Sequence, residues 1–109
     1  MKLIYSTFKT HQEALQMAKH LLKDRMVACA NINQPHTSVY EWQGKICEDE
    51  EVAVWFKTTD ALWEKVKQQI KEHHLYDCPC ILVVDVKSVD GEFDKWMQGQ
   101  VSLALGNKV

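Results

Sequence analysis

The spacing of apolar residues divides the 109-residue chain into short elements, the first of which are a strand and a helix. A β-prone apolar run predicts a strand over Lys2–Thr7, and apolar positions at helical spacing predict a helix that runs to about Lys23. The helix begins at Thr10-His11-Gln12-Glu13, a capping box in which the threonine hydroxyl and the glutamate carboxylate satisfy free backbone N–H groups. The chain therefore opens as a strand followed by a capped helix.

A hairpin follows in the middle of the chain. Apolar runs predict a second strand over Val27–Ile32, which Thr37–Trp42 extends beyond a break at Pro35. The third strand is predicted over Lys45–Lys57, and Gln43-Gly44 is the two-residue loop that reverses the chain between them.

The rest of the chain predicts a helix, a strand and a last helix. Asp60 is the predicted N-cap of the second helix, which ends near His73-His74. Ile81–Val86 is a nearly unbroken apolar strand, and Asp90–Ala104 has the pattern of a helix. In the order βαββαβ, right-handed crossovers place both long helices on one face of an antiparallel sheet. We therefore predict a ferredoxin-like α/β (α+β) sandwich with a C-terminal helix, built as one domain over residues 1–109.

The predicted sheet is apolar on both faces. In the third strand, Val52, Val54 and Phe56 point to one side, while Ala53 and Trp55 point to the other. Since the two long helices cover only one face, the other needs a second cover. We expect another copy of the chain to provide it; the alternative is that the last helix folds under the sheet and completes a monomer.

Composition narrows the class of protein. The chain is 46% hydrophobic and 26% charged, as is ordinary for a globular domain, and its net charge is −2. Twelve lysines and the single Arg25 make up the basic residues, and this balance argues against nucleic-acid recognition, which relies on arginine and on a basic surface. No apolar run is long enough for a membrane span or a signal peptide, so we expect a cytoplasmic protein whose four cysteines are reduced.

Candidate metal ligands lie around the end of the second helix. His73 and His74 offer imidazole nitrogens, which suit Cu(II) and Zn(II), and Cys78 and Cys80 offer thiolates, which suit Cu(I) and Zn(II). The alternatives are structural: a histidine at a helix C-terminus caps backbone carbonyls, and a free cysteine packs as a small hydrophobe. The chain has no Ser-His-Asp order, nucleophile elbow or glycine-rich phosphate loop, so we do not expect an enzyme.

Three aromatic residues, Tyr40, Trp42 and Trp55, cluster on the predicted hairpin strands. Such residues line small-molecule pockets or become buried against a neighbouring subunit. Because interfaces are enriched in large aromatic side chains, we predict that these three lie in a subunit interface.

The chain resembles the CutA family of divalent-cation tolerance proteins over most of its length, from about Tyr5 to Trp96. The segments that carry the resemblance are Ala28–Ile32, Thr37–Ile46, Glu48–Val52, Lys57-Thr58 and His73–Pro79. The resemblance implies a ferredoxin-like subunit in a tight cytoplasmic homotrimer, associated with copper and other divalent metals, in a family not established as enzymes.

Three positions depart from the family pattern. Leu75 stands where the family usually has proline, Cys80 where it usually has glutamate, and Ser6 where some bacterial members have a copper-contacting cysteine. The departures at two of these positions change the chemistry near the expected metal ligands. From the resemblance we expect a trimer that binds copper, as Cu(II), or other divalent ions and contributes to metal tolerance. The alternative is a signalling trimer that binds a small ligand or a partner protein in the clefts between subunits.

Overall fold

The computed structural model describes residues 1–101, which form five strands and three helices. The elements are β1 Lys2–Phe8, α1 His11–Lys23, β2 Cys29–Ile32, β3 His36–Trp42, β4 Lys45–Thr58, α2 Trp63–His73, β5 Ile81–Asp85 and α3 Gly91–Gln100. The predicted order is confirmed, except that the predicted second strand is two strands, β2 and β3, separated around Pro35. Residues 102–104 of the predicted last helix lie outside the described residues.

The sheet has the strand order β2-β4-β1-β5, and every pair of neighbours is antiparallel. β4 is 14 residues long, so its first half extends beyond this sheet and pairs with β3 in a separate ladder. The result is the predicted ferredoxin-like fold with a long hairpin projecting from it. The hairpin places the first half of β4 within reach of the segment that follows α2.

The hairpin turn is the two-residue loop that the sequence predicts. Trp42 pairs with Lys45 across it, and Gln43 and Gly44 have φ angles of 50° and 78°. Two successive positive φ angles are the signature of a type I′ turn, whose twist matches that of the flanking strands. Glycine adopts this conformation freely, whereas Gln43 adopts it at some cost.

The main core lies between the sheet and helices α1 and α2. Ile4, Val54 and Phe56 project from the sheet and are fully buried against Leu21 of α1 and Ile70 of α2. This confirms the prediction that alternate residues of the third strand face the helices.

Helices α1 and α2 have different N-terminal caps. α1 has the predicted capping box, in which the Glu13 N–H donates to Oγ1 of Thr10 at 3.1 Å and the Thr10 N–H donates to Oε2 of Glu13 at 3.2 Å. The prediction that Asp60 caps α2 is wrong, because Leu62 occupies the N-cap position and makes no side-chain cap. Asp60 instead accepts a hydrogen bond from the N-terminal ammonium group of Met1, at 3.2 Å.

The opposite face of the sheet is only partly covered by the described residues. Helix α3 lies at one end, where the ammonium group of Lys57 sits 5.5 Å from the centre of the Phe93 ring. Elsewhere on this face Leu82 and Val84, both on β5, are 54% and 41% exposed. The predicted second apolar face therefore exists, and within residues 1–101 α3 does not bury it.

Candidate functional site

The candidate site begins with His74, whose ring is fixed on both sides. Its Nε2 donates to the backbone oxygen of Thr7 at 2.7 Å, and its Nδ1 accepts from the Tyr76 N–H at 3.0 Å. The ring also stacks on Phe8, with 4.6 Å between centroids. Because a carbonyl only accepts and a backbone N–H only donates, the ring is the neutral Nε2–H tautomer. Neither nitrogen has a lone pair available for a metal ion in this conformation.

His73 points elsewhere. Its Nδ1 donates to the backbone oxygen of Gln69, one turn earlier, at 3.0 Å, so it caps a carbonyl at the end of α2. Its ring lies against His20 of α1, with the centroids 4.6 Å apart. The rings of His73 and His74 therefore point in different directions and contact different residues, as expected for adjacent residues at a helix end.

The two cysteines lie on the segment that leads to β5, and both are exposed. Desolvation of the thiol and, secondarily, the charge of Glu51 raise the pKa of Cys80 above its usual value. The backbone oxygen of Cys80 accepts a hydrogen bond of 2.7 Å from the buried hydroxyl of Ser6. Because the thiolate is the form that binds metals, the raised pKa works against metal binding by Cys80 at neutral pH.

The four predicted metal ligands lie on one segment but do not surround a common point. Among residues 1–101, no group of three or more His, Cys, Asp or Glu side chains is arranged to hold an ion. Ser6 also contacts this segment, because its hydroxyl donates to the Cys80 carbonyl and so holds the backbone in place.

An acidic cavity of about 980 Å³ separates this segment from the β3–β4 hairpin. Four carboxylate residues line it, whereas Lys9 is its one cationic lining residue among residues 1–101. The carboxylates are Asp49, Glu50, Glu51 and Asp77, and Cys78 also faces the cavity. Low-dielectric walls carrying one sign of charge concentrate counter-ions, so this cavity attracts cations.

Glu51, which belongs to the acidic run Glu48–Glu51, is a residue of the candidate site that the sequence analysis did not single out. Its Oε1 accepts from the Ser38 hydroxyl at 2.7 Å, and its Oε2 accepts from the Tyr76 hydroxyl at 2.9 Å. Desolvation, followed by the hydrogen bond to Glu51, raises the pKa of Tyr76. The only sequence signal was its position, directly before the buried half of β4.

The predicted interface residues occupy two places. Tyr40 and Trp42 are exposed on the projecting hairpin, and the Tyr40 hydroxyl donates to Asp49. That hydrogen bond is the main cause that raises the pKa of Tyr40 to about 12. Trp55 is half-buried on the open face of the sheet, where it makes an edge contact with Tyr5 at 4.9 Å between centroids.

Comparison with known proteins identifies the family. The model of the CutA1 divalent ion tolerance protein family matches residues 2–100. The divalent-cation tolerance protein CutA of Pyrococcus horikoshii is 44% identical over 97 residues, which span 89% of this chain and 94% of that protein. The chain belongs to the CutA family. CutA is a family of divalent-cation tolerance proteins and is not a known enzyme family.

Solved CutA structures share the fold of this chain. The crystal structure of CutA1 from Pyrococcus horikoshii has a TM-score of 0.89 at 43% identity and covers 94% of this chain and 99% of its own. A CutA structure from Archaeoglobus fulgidus, described as periplasmic, has a TM-score of 0.88 at 34% identity and covers 94% of this chain and all of its own (100%). None of the helices in residues 1–101 has the length and apolar character needed to cross a membrane.

Proposed function

We propose that this CutA protein is a cytoplasmic homotrimer that binds copper, as Cu(II), or other divalent ions and contributes to metal tolerance. It acts as one domain over residues 1–109, without catalysis and without nucleic-acid or membrane partners. The observation that carries the proposal is the acidic cavity between the hairpin and the segment after α2, in which four carboxylates face one lysine. A cavity of this charge draws divalent ions to the Cys78 thiol, which is part of its lining.

The proposed ligands are His73, His74, Cys78 and Cys80. Nε2 of His73 makes no hydrogen bond within residues 1–101 and both thiols are exposed, so these three groups can reach an ion without losing a hydrogen bond, and Cys80 binds it after losing its thiol proton. Imidazole and thiolate are ligands that copper and zinc prefer. His74 joins the set only by giving up its bond to Thr7 or to Tyr76, so we propose that it contributes least.

Self-association is supported by the apolar surface on the sheet and the hairpin. Leu82 and Val84 are exposed on the open face, and Val39, Trp42 and Ile46 are exposed on the hairpin, with Trp42 at 63%. Monomers rarely expose apolar residues in such clusters. A second and a third copy of the chain bury them, and Tyr40, Trp42 and Trp55 then lie at the contacts between copies.

Calorimetric titration with Cu(II) and Zn(II) tests the proposal. We expect one ion per subunit for the wild type and weaker binding for the Cys78→Ser/Cys80→Ser and His73→Ala/His74→Ala variants. Cys47→Ser and His11→Ala, which remove a thiol and an imidazole elsewhere, are the matched controls and should bind as the wild type does. Binding that is unchanged in both double variants would overturn the ligand assignment, and absence of binding by the wild type would overturn the function.

The second candidate function is a signalling trimer that binds a small ligand or a partner protein at the clefts between subunits. The observation in its favour is the size of the cavity, about 980 Å³, together with Tyr40, Trp42 and Leu75 in its lining. Cavities of this volume accept molecules much larger than an ion. A trimer that binds no divalent ion in the titration above would favour this candidate.

A further inference from the structure

Two histidines from different helices meet in the groove between α1 and α2. His20 lies in the last turn of α1 and His73 is the last residue of α2. Their ring centroids are 4.6 Å apart, and the ring planes are inclined by 43°. The two residues are 53 positions apart in the chain, so the fold, and not a local motif, brings them together.

A single residue fixes the tautomers of both rings. Nε2 of His20 donates to the side-chain oxygen of Gln69 at 3.0 Å, and Nδ1 of His73 donates to the backbone oxygen of the same residue at 3.0 Å. Each ring thus donates its N–H to an oxygen of Gln69. The lone pairs that are left belong to Nδ1 of His20 and Nε2 of His73, which make no hydrogen bond within residues 1–101.

This arrangement is the one that metal-binding histidines have. A metal-ligating imidazole almost always donates its second nitrogen to a carbonyl, a carboxylate or water, which fixes the tautomer and raises the basicity of the ligating nitrogen. Here both imidazoles meet that condition through Gln69. His74 does not, because both of its nitrogens are already engaged.

The space beside the rings admits a cation. A cavity of about 280 Å³ is lined by His20 and His73 together with Glu13 and Met17, and no lysine or arginine of residues 1–101 lines it. The only formal charge in the lining is the negative one of Glu13. This cavity has a different set of acidic residues from the larger one beside the hairpin.

We propose that His20 and His73 form a two-imidazole site for a borderline divalent ion, Cu(II) or Zn(II), in the groove between α1 and α2. Imidazole nitrogen selects these ions over Mg(II) and Ca(II). Metal–nitrogen bonds of about 2.0–2.1 Å require the two ligating nitrogens to lie roughly 3–3.5 Å apart, so the two rings, whose centroids are 4.6 Å apart, must turn to bring Nδ1 of His20 and Nε2 of His73 to one ion. Water completes the coordination, since no third His, Cys, Asp or Glu of residues 1–101 joins the pair.

The inference rests on the proposed function in taking a divalent cation as the ligand, but it assigns that ion to other residues. Only His73 is shared between the two sites. Variants of His20 therefore report on the groove alone, and variants of Cys78 and Cys80 report on the segment alone.

Side-chain nitrogen NMR tests the site directly. In the metal-free protein we expect His20 as the Nε2–H tautomer and His73 as the Nδ1–H tautomer. Addition of Zn(II) should move the signals of His20 Nδ1 and His73 Nε2, and those of His11, an exposed histidine away from the groove, should stay in place. If Zn(II) leaves both of those nitrogens unshifted, the site does not exist.

Three variants separate the groove from the segment. His20→Ala should remove the Zn(II)-induced shift of His73, and Gln69→Ala should weaken Zn(II) binding at the groove by roughly tenfold, the effect typical of losing an orienting partner. Gln68→Ala, which removes a side chain that bonds to Glu72 on the same helix, is the matched control and should bind as the wild type does.

The outcomes distinguish the two proposals. If Cys78→Ser/Cys80→Ser abolishes binding and His20→Ala does not weaken it, the groove site is overturned and the segment stands. If His20→Ala removes the shift while the cysteine variant keeps it, the groove site is supported and the cysteines are excluded as its ligands. A wild-type protein that binds neither Cu(II) nor Zn(II) overturns both.

Discussion

The hydroxyl of Tyr76 donates a hydrogen bond of 2.9 Å to Oε2 of Glu51, and this contact joins the segment after α2 to strand β4. The other carboxylate oxygen of Glu51 accepts from Ser38 on β3. One carboxylate thus connects the hairpin to the segment that carries the predicted metal ligands. The shape of the acidic cavity depends on this connection, because its two walls meet there.

Tyr76→Phe should therefore destabilise the protein by removing the contact between the two walls of the cavity. The substitution removes a hydrogen bond to a charged group at a half-buried position, and we expect the free energy of unfolding to fall by about 1–2 kcal/mol. Urea unfolding measures the loss. Tyr40→Phe, whose hydroxyl bonds to Asp49 on the exposed part of the hairpin, is the control and should change stability less. Equal losses in the two variants would contradict a special role for the Tyr76–Glu51 contact.

Alkaline pH should destabilise the protein through its three tyrosines. The pKa of each is raised above 10.0: that of Tyr5 mainly by burial, that of Tyr76 by burial and Glu51, and that of Tyr40 to about 12 by its hydrogen bond to Asp49. A raised pKa means that the folded state holds the proton more tightly. The stabilisation is complete below pH 10, the unfolded value, and is lost as the pH rises through the folded values.

Tyrosinate absorbance, recorded for the native and the urea-unfolded protein, checks this prediction. The native curve should lie on the alkaline side of the unfolded one, and Tyr40→Phe should remove the native transition near pH 12. Superimposable curves would show that the hydroxyls are not held as the structure describes.

Leu82→Asp should prevent the proposed trimer from forming, with little effect on the fold of the subunit. Leu82 lies on the open face of the sheet and is 54% exposed, so a carboxylate there remains solvated in a monomer and becomes buried in an assembly. Leu22→Asp is the matched control, because Leu22 is a 41% exposed leucine on α1, away from that face. Light scattering coupled to size exclusion measures the mass. A trimer that survives Leu82→Asp would place the subunit contacts elsewhere.

Ser6→Ala should lower the free energy of unfolding by about 1–3 kcal/mol. The Ser6 side chain is fully buried, and without its hydroxyl the Cys80 carbonyl loses its hydrogen-bond donor. The midpoint of thermal unfolding reports the change. Ser88→Ala, at an exposed serine after β5, should be neutral. A neutral Ser6→Ala would mean that water replaces the hydroxyl at the Cys80 carbonyl.

The order of elements could be predicted because it depends on local patterns. The capping box at Thr10 and the turn at Gln43-Gly44 involve neighbours in sequence, and the structure contains both. The cap at Asp60 was wrong for a tertiary reason: the N-terminal ammonium group, 59 residues away, binds that carboxylate. No local pattern contains a contact of that separation.

The candidate site was less predictable for the same reason. The sequence directs attention to His73 and His74 as a pair, because they are adjacent. In the structure His74 hydrogen-bonds to the backbone of Thr7, and the ring of His73 contacts the ring of His20. Both partners come from the first quarter of the chain. The hydrogen bonds that decide which nitrogen is available are made across elements, so only the packed structure reveals them.

Strand β4 takes part in three ladders on one unbroken backbone, with β3 over residues 45–51, with β1 over residues 52–58 and with β2 over residues 54–57. A slip of one residue would turn every side chain of β4 to the opposite face. Because the strand does not break at Glu51, the hairpin half of β4 cannot turn over unless the half in the central sheet turns over with it. Burial of Val54 fixes the orientation of the whole strand, and therefore also the side of the strand from which Glu51 reaches Tyr76. A residue of the apolar core thus fixes the position of a surface carboxylate that it does not contact.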